Sequence, residues 1–478
     1  MKHLIDFHRL AGALILLAIA ISPAWAQQDD ASAKPAARVS LPLPGGQEDQ
    51  DTQTQPEALN PDERALTGAQ DFTLGIAGIR HSYWVPGFRF ENRSRWDDLA
   101  TGAGRNWVST GYFLGTLSFL KASRHSQLAV NYGGGGGVNE SSDFQGSSFH
   151  QLALSQAIKL RRWQLLFLDE FSYLPESSFG FGGVGNLLAP GVGSDLTAGL
   201  PSLQTNYVPS QSLYTTQGPR ISNAFVTQVG YSLSARSSLA ATGSFGILRF
   251  TQTNVPGDTN DAIFSLGYNY EVTSWDSLGV LYRFTGYRFL GNPQKLDDHA
   301  AQIAYGRRLT GRLALRLTAG PQVTIFRQLS GTNSQRVGVT SAVSLHYTME
   351  RTGLSLSYDR GLTGGSGVLI GATRDQIQTQ VTTQLTRKWQ GSAGVGYARN
   401  KSASGSFQSS AAQAFDTTFA SAGVGHTLGR MASFTLNYTF AYQNVNQALC
   451  TPGSCGTNYK QHQIWAGFQW HARPFVIR

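Results

Sequence analysis

The residues able to do chemistry are few and scattered. His426 stands between Val424 and Leu428, and His346 between Ser344 and Thr348. Neither has a serine and an acid at a spacing that would assemble a nucleophile and its base. Asp169 and Glu170 are adjacent carboxylates. In a regular strand they point to opposite faces, so they do not form an acid/base pair. The glycine run 133–137 is followed by no GK[ST], so it does not cradle a phosphate. HExxH, GxSxG and CxxC are absent. Cys450 and Cys455 are the 2 cysteines, in CTPGSC, where a Pro-Gly turn suits a small disulfide. Two sulfurs with no further ligands do not make a metal site. The chain therefore reads as a non-enzyme, with no metal and no cofactor expected.

Charge is sparse and sorted. Only 14% of the 478 residues are charged, and Lys+Arg 38 against Asp+Glu 29 gives +9. An ordinary soluble domain carries about a quarter charged residues. Lys121, Arg124, Arg161, Arg162, Arg236, Arg307, Arg308, Arg312, Arg351, Arg387, Lys388 and Arg430 fall in or beside short polar turns. That distribution is a ring, not a patch with interleaved aromatics, and it argues against a nucleic-acid partner. A ring of this kind anchors at an anionic lipid surface, or collects anionic solutes by steering. Both readings stand at this point.

The elements that carry these residues alternate with period two. Phe264, Leu266, Tyr268, Tyr270 and Val272 interleave with Ser265, Gly267, Asn269 and Glu271. Phe434, Leu436, Tyr438, Phe440 and Tyr442 interleave with Thr435, Asn437, Thr439 and Ala441. Ile377, Val381 and Leu385 alternate with Gln378, Gln380, Thr382 and Gln384. A sandwich would alternate too, but the connections discriminate. Short turns near 122–126, 160–162, 235–238, 273–276, 309–312, 350–353, 386–388 and 429–431 take turns with longer links along the chain. The sorting predicts a closed antiparallel transmembrane β-barrel of about 18 strands (16–18), with short periplasmic turns and long extracellular loops. The first strand is expected over 80–91, where Pro86 fits poorly in a paired strand.

On that parity Arg283, Arg316 and Asp359 face inward with Gln378, Gln380, Gln384, Asn269 and Asn437, a polar and mostly uncharged pore lining. Further inward positions are Asn131, Gln151, Ser155, Gln228, Gln302, Gln322 and Gln463. His346 faces the same way, and His426 faces lipid. Asp169 breaks the rule, sharing parity with Trp163, Leu165, Phe167 and Phe171. A β-bulge is expected to turn it inward. Trp163, Trp389, Tyr305, Tyr347 and Trp470 lie near strand ends, where an interfacial aromatic girdle belongs.

The chain closes on WAGFQW (465–470), an alternating strand ending in aromatics, which resembles the C-terminal assembly signal of bacterial outer-membrane barrels. The pattern over about 400 residues is similar to the porin-like class. The resemblance implies an outer-membrane channel for passive diffusion of small hydrophilic solutes. It also implies contact with the barrel-assembly machinery, with outer-membrane lipid and lipopolysaccharide, and a possible homo-oligomer. A polysaccharide-export barrel and a structural or adhesive barrel remain the alternatives. The longest link, 175–218, is apolar and glycine-rich over 179–193. By the position of the third loop in porins, it is expected to fold inward and narrow the lumen with Phe179, Phe181, Leu187 and Leu188. Residues 1–26 read as a signal peptide: Lys2 and Arg9, then an apolar run, then Ala24-Trp25-Ala26. Residues 27–72 read as a disordered acidic leader on the periplasmic side, where Asp29, Asp30, Glu48 and Asp49 outweigh Lys34 and Arg38. The barrel is expected over 73–478, with its C-terminus periplasmic as well.

Overall fold

The computed structural model describes residues 82–99, 106–139, 147–174, 219–251, 258–290, 294–327, 333–364, 371–403, 414–445 and 458–477. The signal segment, the acidic leader, residues 175–218 and the two cysteines lie outside the described residues.

Nearly everything described is strand. The order is β1 (Ser82–Leu99), β2 (Asn106–Ala122), β3 (Ser126–Asn139), β4 (Ser147–Lys159), β5 (Trp163–Leu174), β6 (Arg220–Ser232), β7 (Ser237–Phe250), β8 (Thr259–Glu271), β9 (Asp276–Phe289) and β10 (Lys295–Thr310). There follow β11 (Leu313–Arg327), β12 (Asn333–Thr348), β13 (Thr352–Thr363), β14 (Ala372–Gln384), β15 (Trp389–Ser402), β16 (Ala414–Thr427), β17 (Ala432–Val445), β18 (Asn458–His471) and the short β19 (Phe475–Ile477). From β1 to β18 each strand pairs antiparallel with its neighbours in sequence, and β1 pairs with both β2 and β18. The sheet is therefore a closed barrel of 18 long strands, with β19 continuing β18's place against Ser82–Trp84. Closure leaves no sheet edge along most of the wall, the usual requirement for a β structure whose outside is apolar.

Link lengths sort by end. The connections at one rim are two to four residues long, such as 311–312 and 385–388; those at the other are five or longer. Gly429, at φ +85°, supplies the left-handed residue that the tight β16–β17 turn needs. The first strand differs from expectation: it runs on from Glu91 to Leu99, paired throughout with β18 and, as far as Asp97, with β2. Pro86 is accommodated opposite Leu117. Among the described residues the one register shift lies between Arg308 and Thr310.

Burial follows the alternation. In β8, Asp261, Ile263, Ser265, Gly267 and Asn269 are buried, while Ala262, Phe264, Leu266, Tyr268 and Tyr270 are exposed. The buried parity faces the barrel interior. The exposed one is an apolar belt, including Ile303, Val280 and Leu278, that belongs against acyl chains rather than water. At the short-turn rim the belt ends in an aromatic girdle. Trp163 packs on Tyr231 with centroids 4.6 Å apart, Trp389 on His426 at 4.4 Å, and Trp470 on Phe88 at 5.3 Å. Tyr305 donates to Asp276 at 2.7 Å. The basic turn residues extend beyond this girdle. At the long-link end a second girdle repeats one clasp: a tyrosine hydroxyl meets a histidine Nδ1 across the hairpin in Tyr132–His150, Tyr282–His299 and Tyr438–His462, at 2.8–3.0 Å.

Candidate functional site

The inner wall is the candidate site. Arg283, Arg316, Asp359, Asn269, Asn437, Gln378, Gln380 and Gln384 all lie on the inward parity of their strands, as do Asn131, Gln151, Gln228, Gln302, Gln322 and Gln463. Asp169 does not. The β4–β5 and β5–β6 registers run through it without a shift, so the expected bulge is absent and its side chain faces outward. Asn223, also outward, satisfies it by donating at 2.8 Å. A local hydrogen bond across the hairpin takes the place of the backbone irregularity. Glu170 does face inward, where Gln151 Nε2 reaches it at 3.4 Å.

The charges on the wall form two groups. The first is a column on β1, in which Arg89, Glu91, Arg93 and Arg95 occupy successive inward positions. Two residues along a strand advance about 7 Å, so the column climbs about 20 Å of wall. Its foot is locked: Arg89 and Glu91 form an ion pair, Trp465 Nε1 donates to Glu91 at 3.0 Å, and the Arg89 guanidinium lies 5.0 Å from the Trp465 ring centroid. The sequence reading ended this strand at Glu91 and so missed Arg93 and Arg95. The signal was present, since RFENRSR keeps period two with every second residue charged.

The second group surrounds Tyr287 near the long-link end. The charges of Asp261, Asp298, Arg283 and Arg374, from four different strands, all bear on that side chain. Asp298 accepts from Gln322 at 2.9 Å and Thr324 at 2.8 Å, and Arg374 pairs with Asp359 at 3.2 Å. Here the barrel departs from a round section. β12 is paired with β11 as far as Asn333, but with β13 only from Ser341↔Arg360 to Thr348↔Gly353. Beyond that point the ends of β13, β14 and β15 turn into the lumen. Tyr287 donates to the Leu362 carbonyl at 3.3 Å, although β9 and β13 are four strands apart, about 19 Å along a wall of ordinary spacing. Tyr287, Leu296, Phe326 and Ala403 pack into one buried apolar cluster, with Phe289 and Leu362 against it. Glycine permits the approach at Gly371, which sits at φ +77° with Leu296 against it; a Cβ there would meet Leu296 at 2.5 Å. The β13–β14 arm thus pinches the lumen from one side. Local alternation carries no trace of this, because the contact joins strands far apart in order.

His346 lies on the inner face and His426 on the outer one, packed against Trp389 with the rings tilted by 49°.

No protein-family model matches the chain, and no curated protein resembles it in sequence. Its backbone is similar to several solved barrels. Pseudomonas aeruginosa OccK2 (OpdF) aligns at a TM-score of 0.43 and 9% identity, covering 81% of this chain and 98% of that one. The Pseudomonas aeruginosa outer membrane protein OpdK aligns at 0.41 and 10%, covering 81% and 99%. Acinetobacter baumannii OccAB1 aligns at 0.42 and 10%, covering 86% and 99%. OccK2 has been crystallised with glucuronate and OpdK with vanillate.

Proposed function

We propose that the chain is an outer-membrane channel for passive diffusion of small hydrophilic solutes, with a preference for anions. The observation that carries this reading is the contrast between the two faces of one wall. The outside is an apolar belt between two aromatic girdles, and the inside is lined by amides, hydroxyls and arginines. A barrel of 16–18 strands is wide enough to hold an aqueous passage. The anion preference rests on Arg89, Arg93, Arg95, Arg220, Arg283, Arg316, Arg336 and Arg374, all on the inward parity, which outnumber the described acids there, Glu91, Glu170, Asp261, Glu271, Asp298 and Asp359. Arg93 and Arg95 make the upper part of the β1 column, and their charge biases the lumen toward anions. In this reading the contact of Tyr287 with the β13–β14 arm narrows the lumen near the long-link end. Residues 175–218, with Phe179, Phe181, Leu187 and Leu188, narrow the lumen further in this reading.

Planar-bilayer recording tests it. Folded protein should give stepwise conductance, and a salt gradient should give a reversal potential of anion-selective sign. Arg93→Gln with Arg95→Gln should move that potential toward neutrality. Silence from folded, inserted protein would shift the reading to a structural or adhesive barrel.

A further inference from the structure

The outward face of β7–β11 carries a feature that a channel does not use. Near the long-link end, Arg249, Asn260, Arg288, Lys295 and Arg327 stand side by side on five consecutive strands. Asn260 is the register partner of Arg288, and Lys295 is the partner of both Arg288 and Arg327. Each lies on the outward parity, and Arg288 and Arg327 are about half exposed, at 43% and 57%. The row is built rather than incidental. Asp297 lies two residues further along β10, on the same outward parity as Lys295, and is only 4% exposed. It receives Arg288 Nη1 at 2.7 Å and Arg327 Nε at 3.1 Å. One buried carboxylate therefore orients two guanidiniums, and Lys295 stands between them. On the flank, Arg249 donates to Asn260 Oδ1 at 2.5 Å and to the Thr259 carbonyl at 3.0 Å.

Four cations against two acids, Asp297 and the Asp258 that stands opposite Arg249 and accepts from the Phe250 N–H at 2.9 Å, leave the row positive, and like charges on neighbouring strands repel. An anion laid across them relieves that repulsion. The strand spacing spreads the row over about 19 Å, wide enough for more than one phosphate on a single head group. What lies beneath completes the match. Descending the same strands come Phe284, His299 and Tyr282, with Tyr282 clasped to His299 at 2.8 Å, then Val280, Ile303 and Leu317. Cations, then aromatics, then aliphatic surface is the order of phosphate, interface and acyl chain in a membrane lipid.

We propose that this row is a binding site for the phosphates of a multiply phosphorylated outer-leaflet glycolipid. The proposal rests on the outer face meeting lipid, and not on the lumen conducting.

The test uses the full-length barrel folded in detergent, with lipid A (a diphosphorylated glycolipid) and its dephosphorylated form as probes, bound lipid being counted by native mass spectrometry. The wild type should favour the phosphorylated form. The triple change Arg288→Gln, Lys295→Gln and Arg327→Gln should weaken it roughly 100-fold, at about one cation's worth of surface attraction each. Lys295→Gln alone should cost about fivefold, which keeps the test decisive if the triple variant folds poorly. Inorganic phosphate at millimolar concentration should not displace the lipid. Equal retention of both lipid forms, unchanged affinity in Lys295→Gln and a folded triple variant, or displacement by free phosphate would each overturn the proposal. Bilayer conductance of the same preparations should be unaltered, so a failure here is distinguishable from failure of the channel reading.

Discussion

Replacing Tyr287 by alanine should release the pinch. The ring is buried, packs with Leu296, Phe326 and Ala403, and its hydroxyl reaches the Leu362 carbonyl at 3.3 Å. Truncating a buried aromatic costs about 3–5 kcal/mol in all. Part of that contact is with Leu296 and Phe326, on the wall beside it, and survives any movement of the arm. Taking about half as holding the β13–β14 arm gives roughly 1.5–2.5 kcal/mol, a shift of about 10–60-fold toward the released arm at 1.4 kcal/mol per decade. Tyr287→Phe removes only the hydroxyl, about 1 kcal/mol or roughly fivefold. Single-channel recording should show a larger main conductance for Tyr287→Ala and at most added flicker for Tyr287→Phe. Release also has a destination. Continuing the β12–β13 register past Ser341↔Arg360 would bring Leu362 opposite Val339. A Val339→Cys, Leu362→Cys pair should therefore cross-link readily in the Tyr287→Ala background and slowly without it. Wild-type conductance together with an unreactive cysteine pair in Tyr287→Ala would refute the reasoning.

Three further outcomes are expected. Glu91→Gln keeps the shape but leaves the Arg89 guanidinium buried without its counter-charge, which costs about 3–5 kcal/mol. The urea midpoint for unfolding from vesicles should fall clearly, and an unchanged midpoint would mean the pair is structurally idle. Asp276, at the short-turn rim, is held below the usual carboxylate range, first by the Tyr305 hydroxyl and then by Thr273. A depressed folded pKa adds stability at pH above the unfolded value of about 3.9, and that stability is lost as pH falls through the folded value. Carboxyl NMR should find Asp276 titrating at higher pH in Tyr305→Phe, and an unmoved titration would remove the hydroxyl as cause. Deleting 179–193 should raise conductance independently of Tyr287→Ala, with the two effects combining in the double variant; an unchanged conductance would show that this segment does not narrow the lumen.

The barrel was legible because one face of each strand is sealed from the other, and 264–272 or 434–442 show that in the residues alone. Link lengths gave the sorting of the two rims. The length of β1 was not legible by the same rule. Past Phe90 its next outward residues are Asn92 and Ser94, so the apolar half of the alternation breaks off until Trp96 while the charged half continues inward. Asp169 misled in the opposite sense. Parity was right and the supposed bulge unnecessary, because Asn223 two positions across the hairpin absorbs the carboxylate. The pinch was beyond reach. Tyr287, Leu296 and Phe326 each read as ordinary inward residues, and only the turned end of β13–β15 gives them a common partner. The cation row was hidden for a similar reason: Arg249 and Arg327 are far in the chain from the Arg288 and Lys295 pair, and the four become neighbours only through register.

Most directly, the account stands on which medium touches each parity of one strand. Single cysteines carrying spin labels at 264, 265, 266, 267, 268 and 269 in vesicle-reconstituted protein decide this by collision with oxygen, which partitions into lipid, and with a water-soluble nickel chelate. The account predicts strict alternation, with oxygen dominating at 264, 266 and 268 and the chelate reaching 265, 267 and 269 through the lumen. Uniform protection from the chelate, or the opposite phase, would contradict it.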